Sequence, residues 1–246
     1  MEHLAELRTR VFRSVLAVAI GTVVGYIVFE QVFDVLIAPY CDVPTAYRDA
    51  SGECALVASR ALEAFSVRVK TSVIIGLFLG GPVLFYQLWR FITPGLTTTE
   101  RRYALPFVVG SQVMFALGLG FSYLVIPQGL RILLGIGGDN ISPLLTASEY
   151  LSFFTRTAIA FGLVFELPLV LIFLSLAGIV TASGLRRFRP YAIVLNVTVA
   201  AIITPSTDAV TLLFLAGPMI LFYELSILAA WLIERRRARR AVGARQ

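Results

Sequence analysis

Carboxylates and arginines are the side chains of this sequence whose spacing suggests chemistry. Glu6 stands four residues before Arg10, and Glu100 directly precedes two arginines. Glu166 lies within an otherwise uncharged apolar run. A carboxylate pairs with an arginine fork through two parallel hydrogen bonds, so an exposed glutamate can bind an arginine of another chain. A carboxylate at membrane depth costs at least about 2.5–3.5 kcal/mol and is by default a candidate functional site.

The first thirteen residues predict a short amphipathic surface helix. Leu4, Leu7 and Val11 have the spacing of its apolar stripe, and Glu6 and Arg10 then form a flanking pair worth about 0.2–0.5 kcal/mol. We expect a cytoplasmic lead-in at 1–13, in which Glu6 is either a solvated surface group or a ligand for a partner.

The segment 89–103 predicts a loop followed by a helix start. Pro94 belongs to a Pro-Gly turn signal. The threonines at 97–99 can cap a new helix, and Glu100 would then lie in its first turn, where the helix dipole favours a carboxylate. Capping and partner binding both stay open for Glu100, and Phe91 is expected at the membrane interface.

Two glutamates interrupt apolar stretches in the second half of the chain. Glu166 is followed by Pro168, which frees a backbone carbonyl. The Glu166 carboxyl is therefore either functional or a structural group that is protonated or hydrogen bonded to local backbone. Glu224 lies close enough to the end of its stretch for its side chain to reach the lipid headgroups.

The composition indicates which kind of fold positions these side chains. Of 246 residues, 58% are apolar and 15% charged, against roughly 25% charged in a soluble domain, and the mean hydropathy is +0.84. This excludes soluble enzymes, nucleic-acid-binding domains and disordered scaffolds. One histidine and two cysteines exclude most metal sites, since structural zinc needs about four ligands. No cofactor is expected.

Stretches between charges predict an all-α membrane protein with six transmembrane helices in one integral membrane domain, 1–246. A span needs about 20 mostly apolar residues. The stretches are Ser14–Phe29 (continuing as a mixed segment to Tyr40), Thr71–Trp89, Tyr103–Leu130, Thr157–Leu185, Pro190–Thr207 and Ala209–Ile233. The fifth span is short, because a helix from Arg189 to Ile203 would be about 22 Å long.

The basic residues predict the orientation. Three arginines precede the first span, three lie between the second and third, three between the fourth and fifth, and six follow the sixth. Cytoplasmic loops retain Lys and Arg, so both termini are expected in the cytoplasm, with a basic tail at 234–246. The N-terminus has no cleavage signature of a secretory signal peptide.

The loops on the opposite side carry the remaining candidates. Cys41 and Cys54 both fall in the first of them, where an oxidising compartment lets a disulfide persist; two free thiols are the alternative. Pro39 breaks the backbone where the first span leaves the membrane. Asp208 follows Pro205 in a very short turn, which it either shapes or ends by capping the next helix.

These segments, in this order, resemble the TatC family, the multispanning core of the twin-arginine protein translocase. The matching pieces are His3-Leu4-x-Glu6-Leu7-Arg8-x-Arg10, Ala38-Pro39, Phe91-x-x-Pro94-Gly95-Leu96, Glu100-Arg101-Arg102, Phe161-Gly162-x-x-Phe165-Glu166-x-Pro168, Arg189-Pro190-Tyr191, Thr204-Pro205 with Asp208, and Pro218-Met219. Together they cover essentially the whole chain and are specific.

The resemblance implies a receptor for signal peptides with two adjacent arginines. It implies that the protein works with the single-span subunits TatA and TatB in the bacterial plasma membrane and is a homo-oligomer within a receptor complex. It also implies that the proton-motive force drives the export of folded proteins. Glu6 and Glu100 match carboxylates that contact the arginine pair, and Arg8 and Phe91 match the same cytoplasmic patch. Pro94 belongs to the matching loop motif.

The remaining matched positions concern the membrane and the outer face. Glu166 matches a membrane-embedded glutamate on the concave side of the family's helix bundle. Pro39 and Asp208 match outer-face positions on which translocation depends. One departure is Leu212, where many members carry a polar residue, often glutamine, so a role of that polar group is not expected here.

Two other classes compete with this interpretation. A membrane-embedded enzyme needs a serine–histidine pair, paired aspartates or a metal motif, and the lone histidine, His3, lies outside the predicted spans. No enzyme and no catalytic residue is therefore expected. A proton-coupled small-solute transporter that uses Glu166 as its proton carrier is the main alternative.

Overall fold

The computed structural model describes residues 2–43, 56–92, 104–135, 145–203 and 209–243. Seven helices make up most of these segments. They are α1 (Glu2–Ile27), α2 (Phe29–Cys41), α3 (Glu63–Ile92), α4 (Ala104–Gly135), α5 (Ala147–Leu176), α6 (Ala182–Ile203) and α7 (Ala209–Gly243). The predicted all-α class is confirmed for the part of the chain that is described.

Five of the helices are long and apolar enough to cross a membrane, namely α1, α3, α4, α5 and α7. Of the other two, α2 has 13 residues, and α6 has 22 with three arginines in its first half. The chain is therefore a multi-pass membrane protein. The count of six spans stays a prediction that depends on α6.

The helices extend beyond the stretches that charges delimit in the sequence. α5 begins at Ala147 and not at Thr157, so the exposed Arg156 lies inside it. α6 begins at Ala182 and not at Pro190, and a break at Val28 separates α1 from α2. Charge marks where a chain leaves the lipid, whereas a helix continues into water because its backbone hydrogen bonds are internal.

The helices pack as two compact units. Unit 1 consists of Met1–Phe91 and Leu119–Ile159, and unit 2 of Ile92–Gly118 and Ala160–Gln246. The core of unit 1 is formed mainly by α2, α4 and α5 and includes Tyr40, Ile126, Leu130, Tyr150 and Leu151. In unit 2, α6 packs on α7 through Ala182, Leu185, Ala192, Tyr223, Ile227 and Ala230.

Within unit 1, α1 and α3 approach each other backbone to backbone. The close positions pair Val18 with Gly80, Gly21 with Gly76 and Gly25 with Ser72. A methyl group on Gly21 would lie 2.8 Å from the carbonyl oxygen of Gly76, so a larger residue there would push the helices apart. Small residues four apart permit such close crossings in membranes. The pairing is antiparallel, and one turn toward the start of α1 matches one turn toward the end of α3.

Within unit 2, α7 holds the turn that joins α5 to α6. Gly178, in the turn, has a φ of +73°, a conformation that favours glycine. The Glu234 carboxylate accepts a hydrogen bond from the backbone N–H of Ala182 at 2.8 Å, and Arg237 donates to the carbonyl of Leu176. Side chains of α7 thus satisfy free backbone groups at the end of α5 and the start of α6.

Candidate functional site

Glu6 is an exposed carboxylate on the second turn of α1. Its Oε1 accepts a hydrogen bond from Nε of Arg10 at 3.1 Å, and the two side chains form an ion pair, as their spacing predicts. The Glu6 side chain is 43% exposed and that of Arg10 only 11%. The carboxylate is therefore oriented by its own helix and still reachable from water.

The register of α1 and α3 relates Glu6 to Phe91. Val18 lies against Gly80, and three further turns along both helices bring Glu6 level with Phe91 and the end of α3 at Ile92. Phe91 is partly buried. The start of α1 and the end of α3 thus lie at the same level. The segment that contains Pro94 and Glu100 follows α3, and those two residues lie outside the described residues.

Arg8 lies on a different face of α1 from Glu6. Two residues advance a helix by about 200°, and the Arg8 side chain is exposed. At the end of α3, Arg90 donates a hydrogen bond to the Tyr86 hydroxyl at 2.9 Å and lies over its ring. This end of unit 1 therefore combines an acidic group, several arginines and aromatic side chains.

Pro39 is fully buried inside α2. Proline has no N–H, so the carbonyl of Val35 loses its helical donor, and the Tyr123 hydroxyl donates to that oxygen at 3.0 Å. The Tyr150 hydroxyl donates to the neighbouring carbonyl of Leu36 at 2.5 Å. Sequence reasoning missed both tyrosines, because they come from positions 88 and 114 residues away.

Glu166 lies in the second half of α5 and is half-buried. The hydroxyl of Ser111, a fully buried residue of α4, donates a hydrogen bond to its carboxyl. The Oε1 atom is buried and has no hydrogen-bond partner in the described part of the chain. The carboxyl thus binds a side chain of α4, whereas one of the sequence-based alternatives expected a bond to local backbone. It also keeps an open acceptor.

The comparison with known families decides between the competing classes. The family described as "Sec-independent protein translocase protein (TatC)" matches residues 2–218. The chain belongs to the TatC family. It is therefore a protein translocase component and not an enzyme, and the resemblance seen in the sequence is confirmed.

Curated relatives named "Sec-independent protein translocase protein TatC" match over nearly the whole chain. The protein of Frankia casuarinae is 46% identical over 97% of this chain and 67% of its own length. That of Desulforapulum autotrophicum is 42% identical over 93% and 83%, and that of Aquifex aeolicus 36% over 96% of each. A solved structure, described as the twin arginine translocase receptor TatC, matches with a TM-score of 0.77 and 36% identity, covering 94% of this chain and 98% of that one.

Glu63 is a carboxylate of this TatC chain that sequence reasoning missed. Its Oε1 accepts a hydrogen bond from the backbone N–H of Ser148 at 3.0 Å, and its Oε2 one from that of Ser59 at 2.7 Å. It thereby ties the segment before α3 to the first turn of α5. Its position in the first turn of a helix is the sequence signal that was available.

The C-terminal end of α2, just beyond Pro39, has further links. Cys41 is disulfide-bonded, and Arg131 donates to the carbonyl of the next residue, Asp42, at 2.7 Å. Cys54 and Asp208 lie outside the described residues, so the pairing of Cys41 with Cys54 stays a prediction.

Glu224 of this TatC chain forms an ion pair with Arg189 at 2.6 Å. The pair joins α7 to α6, and both side chains are partly exposed. Glu224 therefore has a protein partner, Arg189, and its contact with lipid headgroups stays a prediction. Among the described residues, no group of three histidine, cysteine, aspartate or glutamate side chains could hold a metal ion.

Proposed function

We propose that this TatC chain is a receptor for twin-arginine signal peptides and binds their paired arginines at the cytoplasmic face of the membrane. The observation that carries the proposal is the antiparallel register of α1 and α3. It brings Glu6 level with Phe91, at the start of the segment in which Glu100 follows nine residues later. In this proposal one short peptide contacts both carboxylates.

Arginine recognition at this surface has a simple chemical basis. The guanidinium fork bonds a carboxylate bidentately, whereas a lysine is a point charge without that geometry. Glu6 already pairs with Arg10, so a peptide arginine shares or displaces that bond. Exposed ion pairs are worth about 0–1 kcal/mol, and the apolar part of the signal peptide therefore has to add affinity, with Phe91 as a contact.

The charge distribution within each unit supports cytoplasmic termini. In unit 1, the arginines at positions 8, 10 and 13 of α1 lie at the same end as Arg90 of α3. In unit 2, the arginines of α6 and those of the α7 tail lie at one end, which Glu234 and Arg237 mark by their contacts. By the positive-inside rule these ends face the cytoplasm. We infer that α6 is the fifth of six spans, crossing with a short charge-free part, 190–203.

Glu166 is the element of the proposal that acts inside the membrane. Its buried Oε1 without a partner is an acceptor for a polar side chain of a single-span subunit, TatA or TatB, or for the inserting signal-peptide hairpin. In this proposal the chain resides in the bacterial plasma membrane as a homo-oligomer within a receptor complex. Folded cargo crosses at the expense of the proton-motive force.

Site-directed photo-crosslinking tests the receptor surface. A crosslinker at Leu7, an exposed neighbour of Glu6, should capture a signal peptide with Arg-Arg and capture the Lys-Lys peptide less. The double variant Glu6→Ala/Glu100→Ala should lose capture while remaining in the membrane. Glu30→Ala is the matched control, because it removes an exposed carboxylate of α2. Unchanged capture by the double variant would refute the proposal.

A further inference from the structure

The break between α1 and α2 is confined to one residue, Val28. Its φ and ψ are −92° and 17°, whereas an α-helix has a ψ near −42°. The hydrogen-bond ladder continues on both sides, because the N–H of Val28 bonds the carbonyl of Val24 at 3.1 Å and its own carbonyl accepts from Val32 at 3.3 Å. No proline or glycine lies within two residues of Val28. Since sharp breaks in helices have identifiable causes, this one has to come from another part of the chain.

The antiparallel register of α1 on α3 brings Arg68 to this break. Gly25 lies against Ser72, so one further turn along α1 meets the turn of α3 that contains Arg68. The guanidinium carbon of Arg68 lies 4.5 Å from the ring centroid of Tyr26 and 5.1 Å from that of Phe29. Tyr26 belongs to the last turn of α1, and Phe29 is the first residue of α2. One side chain therefore contacts both sides of the break.

The Arg68 guanidinium also reaches the backbone at the break. Its Nη2 donates a long hydrogen bond of 3.5 Å to the carbonyl of Tyr26, the oxygen that the N–H of Glu30 would bond in an unbroken helix. Its Nε is buried and has no hydrogen-bond partner in the described part of the chain. An arginine that served only solubility would keep this donor in water. The side chain is therefore held mainly by the two aromatic rings, at the cost of a buried donor.

The contacts of Arg68 continue into the core of unit 1. The Phe29 ring stacks on that of Phe33 with centroids 5.1 Å apart, and both residues pack against the core cluster that contains Tyr40. Arg68 thus covers the first of two aromatic side chains that seat the start of α2. The second half of α2 is held separately, by the two tyrosine hydroxyls near Pro39.

We propose that Arg68 is a positioning residue for translocation, which holds the break between α1 and α2 and so sets the direction in which α2 leaves α1. Without its guanidinium, the N–H of Glu30 can rejoin the carbonyl of Tyr26, and α2 then continues α1 in a fraction of the molecules. The role lies within unit 1 and does not depend on the proposed signal-peptide surface.

The distance between α1 and α2 provides the measurement. Spin labels introduced as non-natural amino acids at Ile20 and Val35, both exposed, report this distance in the full chain in detergent by pulsed electron paramagnetic resonance. The parent should give one narrow distribution. Arg68→Met should add a second population at a longer distance, because losing two cation–π contacts changes an equilibrium constant by about five- to thirty-fold. Arg68→Lys should add less of it, since lysine keeps the charge without the planar group.

Matched variants separate positioning from stability. Arg156→Met removes an exposed arginine of α5 in the same unit and should leave the distance parental. Glu30→Pro removes the N–H that would rejoin the ladder and places a ring against the carbonyl of Tyr26, so it enforces the break without Arg68. Combined with Arg68→Met, it should restore the narrow distribution. Phe29→Leu should broaden the distribution in the parent and add little to Arg68→Met, because the two residues act through one contact.

Export of cargo tests the link to translocation. At parental protein levels, Arg68→Met should lower export by roughly two-fold or more, as the population with the break falls, and Glu30→Pro should restore it. A parental distance distribution for Arg68→Met would overturn the proposal even if stability fell, because Arg68 would then only stabilise the fold. A restored distance without restored export would overturn it as well, since the direction of α2 would not matter. The distance readout needs no signal peptide, so a failure of the receptor surface would be seen separately.

Discussion

Two polar sites of this TatC chain, one beside the buried Pro39 and one at Glu166, differ in how fully their hydrogen bonds are satisfied. Around Pro39 in unit 1, the carbonyls of Val35 and Leu36 receive hydrogen bonds from Tyr123 and Tyr150. At Glu166 in unit 2, Ser111 donates to the carboxyl, while Oε1 is buried and lacks a partner among the described residues. The first site is closed by the chain itself, and the second is open.

We expect this difference to separate a structural role at Pro39 from a functional role at Glu166. An unsatisfied buried polar group costs about 1–3 kcal/mol, and a charged one more. A chain that supplies two tyrosines to the carbonyls near a proline can supply such partners where only stability is needed. In the proposed function, the open acceptor of Glu166 is a cost that binding of another polar group would remove. We therefore expect Pro39 to affect folding, so that translocation depends on it through the folded state, and Glu166 to affect transport directly.

The largest expected effect is that of Glu166→Leu. Export of a twin-arginine cargo should fall by more than about tenfold, because losing a partner bond of about 1.4 kcal/mol or more is a factor of ten or more in occupancy. The free energy of unfolding in detergent should stay equal or rise, since a buried polar group without its full set of partners is removed.

Glu166→Gln is the control for this change, because it retains a polar side chain of the same shape and should retain more export than the leucine variant. If the Glu166→Leu variant, present at parental levels, exported cargo at the parental rate, Glu166 would have no functional role.

A double-mutant cycle at Pro39 addresses the closed site. Tyr123→Phe should lower the free energy of unfolding by about 0.5–1.5 kcal/mol, because the Val35 carbonyl, which Pro39 leaves without a helical donor, loses its hydrogen bond to Tyr123. In a Pro39→Ala background the restored backbone N–H can bond that carbonyl, so Tyr123→Phe should cost less. The measurement is denaturant unfolding of the purified protein in detergent.

One outcome of this cycle would contradict the prediction. If Tyr123→Phe costs the same with proline and with alanine at position 39, the two residues are uncoupled, and the hydroxyl does not replace the missing N–H. Export at temperatures where both variants are folded should remain close to the parental rate.

The sequence predicted the elements that depend on local composition. Membrane insertion, the all-α class and the Glu6–Arg10 pair follow from hydropathy and spacing alone. The helix ends could not be predicted in this way, because charges such as Arg156 and Arg186 mark the edge of the lipid and not the end of a helix. The break at Val28 has no proline or glycine beside it that would announce it.

The parts of the site that depend on distant partners could not be predicted. Tyr123, Ser111 and Glu63 act on residues of other helices, and no spacing rule connects positions so far apart. The register of α1 on α3 was within reach, since Gly21 and Gly25 on one helix and Gly76 and Gly80 on the other show the small-residue pattern of close helix pairs. When the antiparallel register set by those glycines is continued along both helices, Glu6 lies level with Phe91.

The smallest expected effect tests how far the Glu166 site depends on Ser111, its partner within the described part of the chain. Ser111→Ala removes the hydroxyl that donates to Glu166 and should lower export about two- to ten-fold, in line with a hydrogen bond of about 0.5–1.5 kcal/mol. Ser122→Ala is the matched control: Ser122 is on the same helix, is equally buried, and donates to the carbonyl of Leu119 in its own turn at 2.7 Å. Both variants leave a methyl-sized side chain in a buried position, so stability should change similarly, and only Ser111→Ala should affect export. Equal export by the two variants would mean that Ser111 does not position the carboxyl, and the Glu166 site would then depend on its external partner alone.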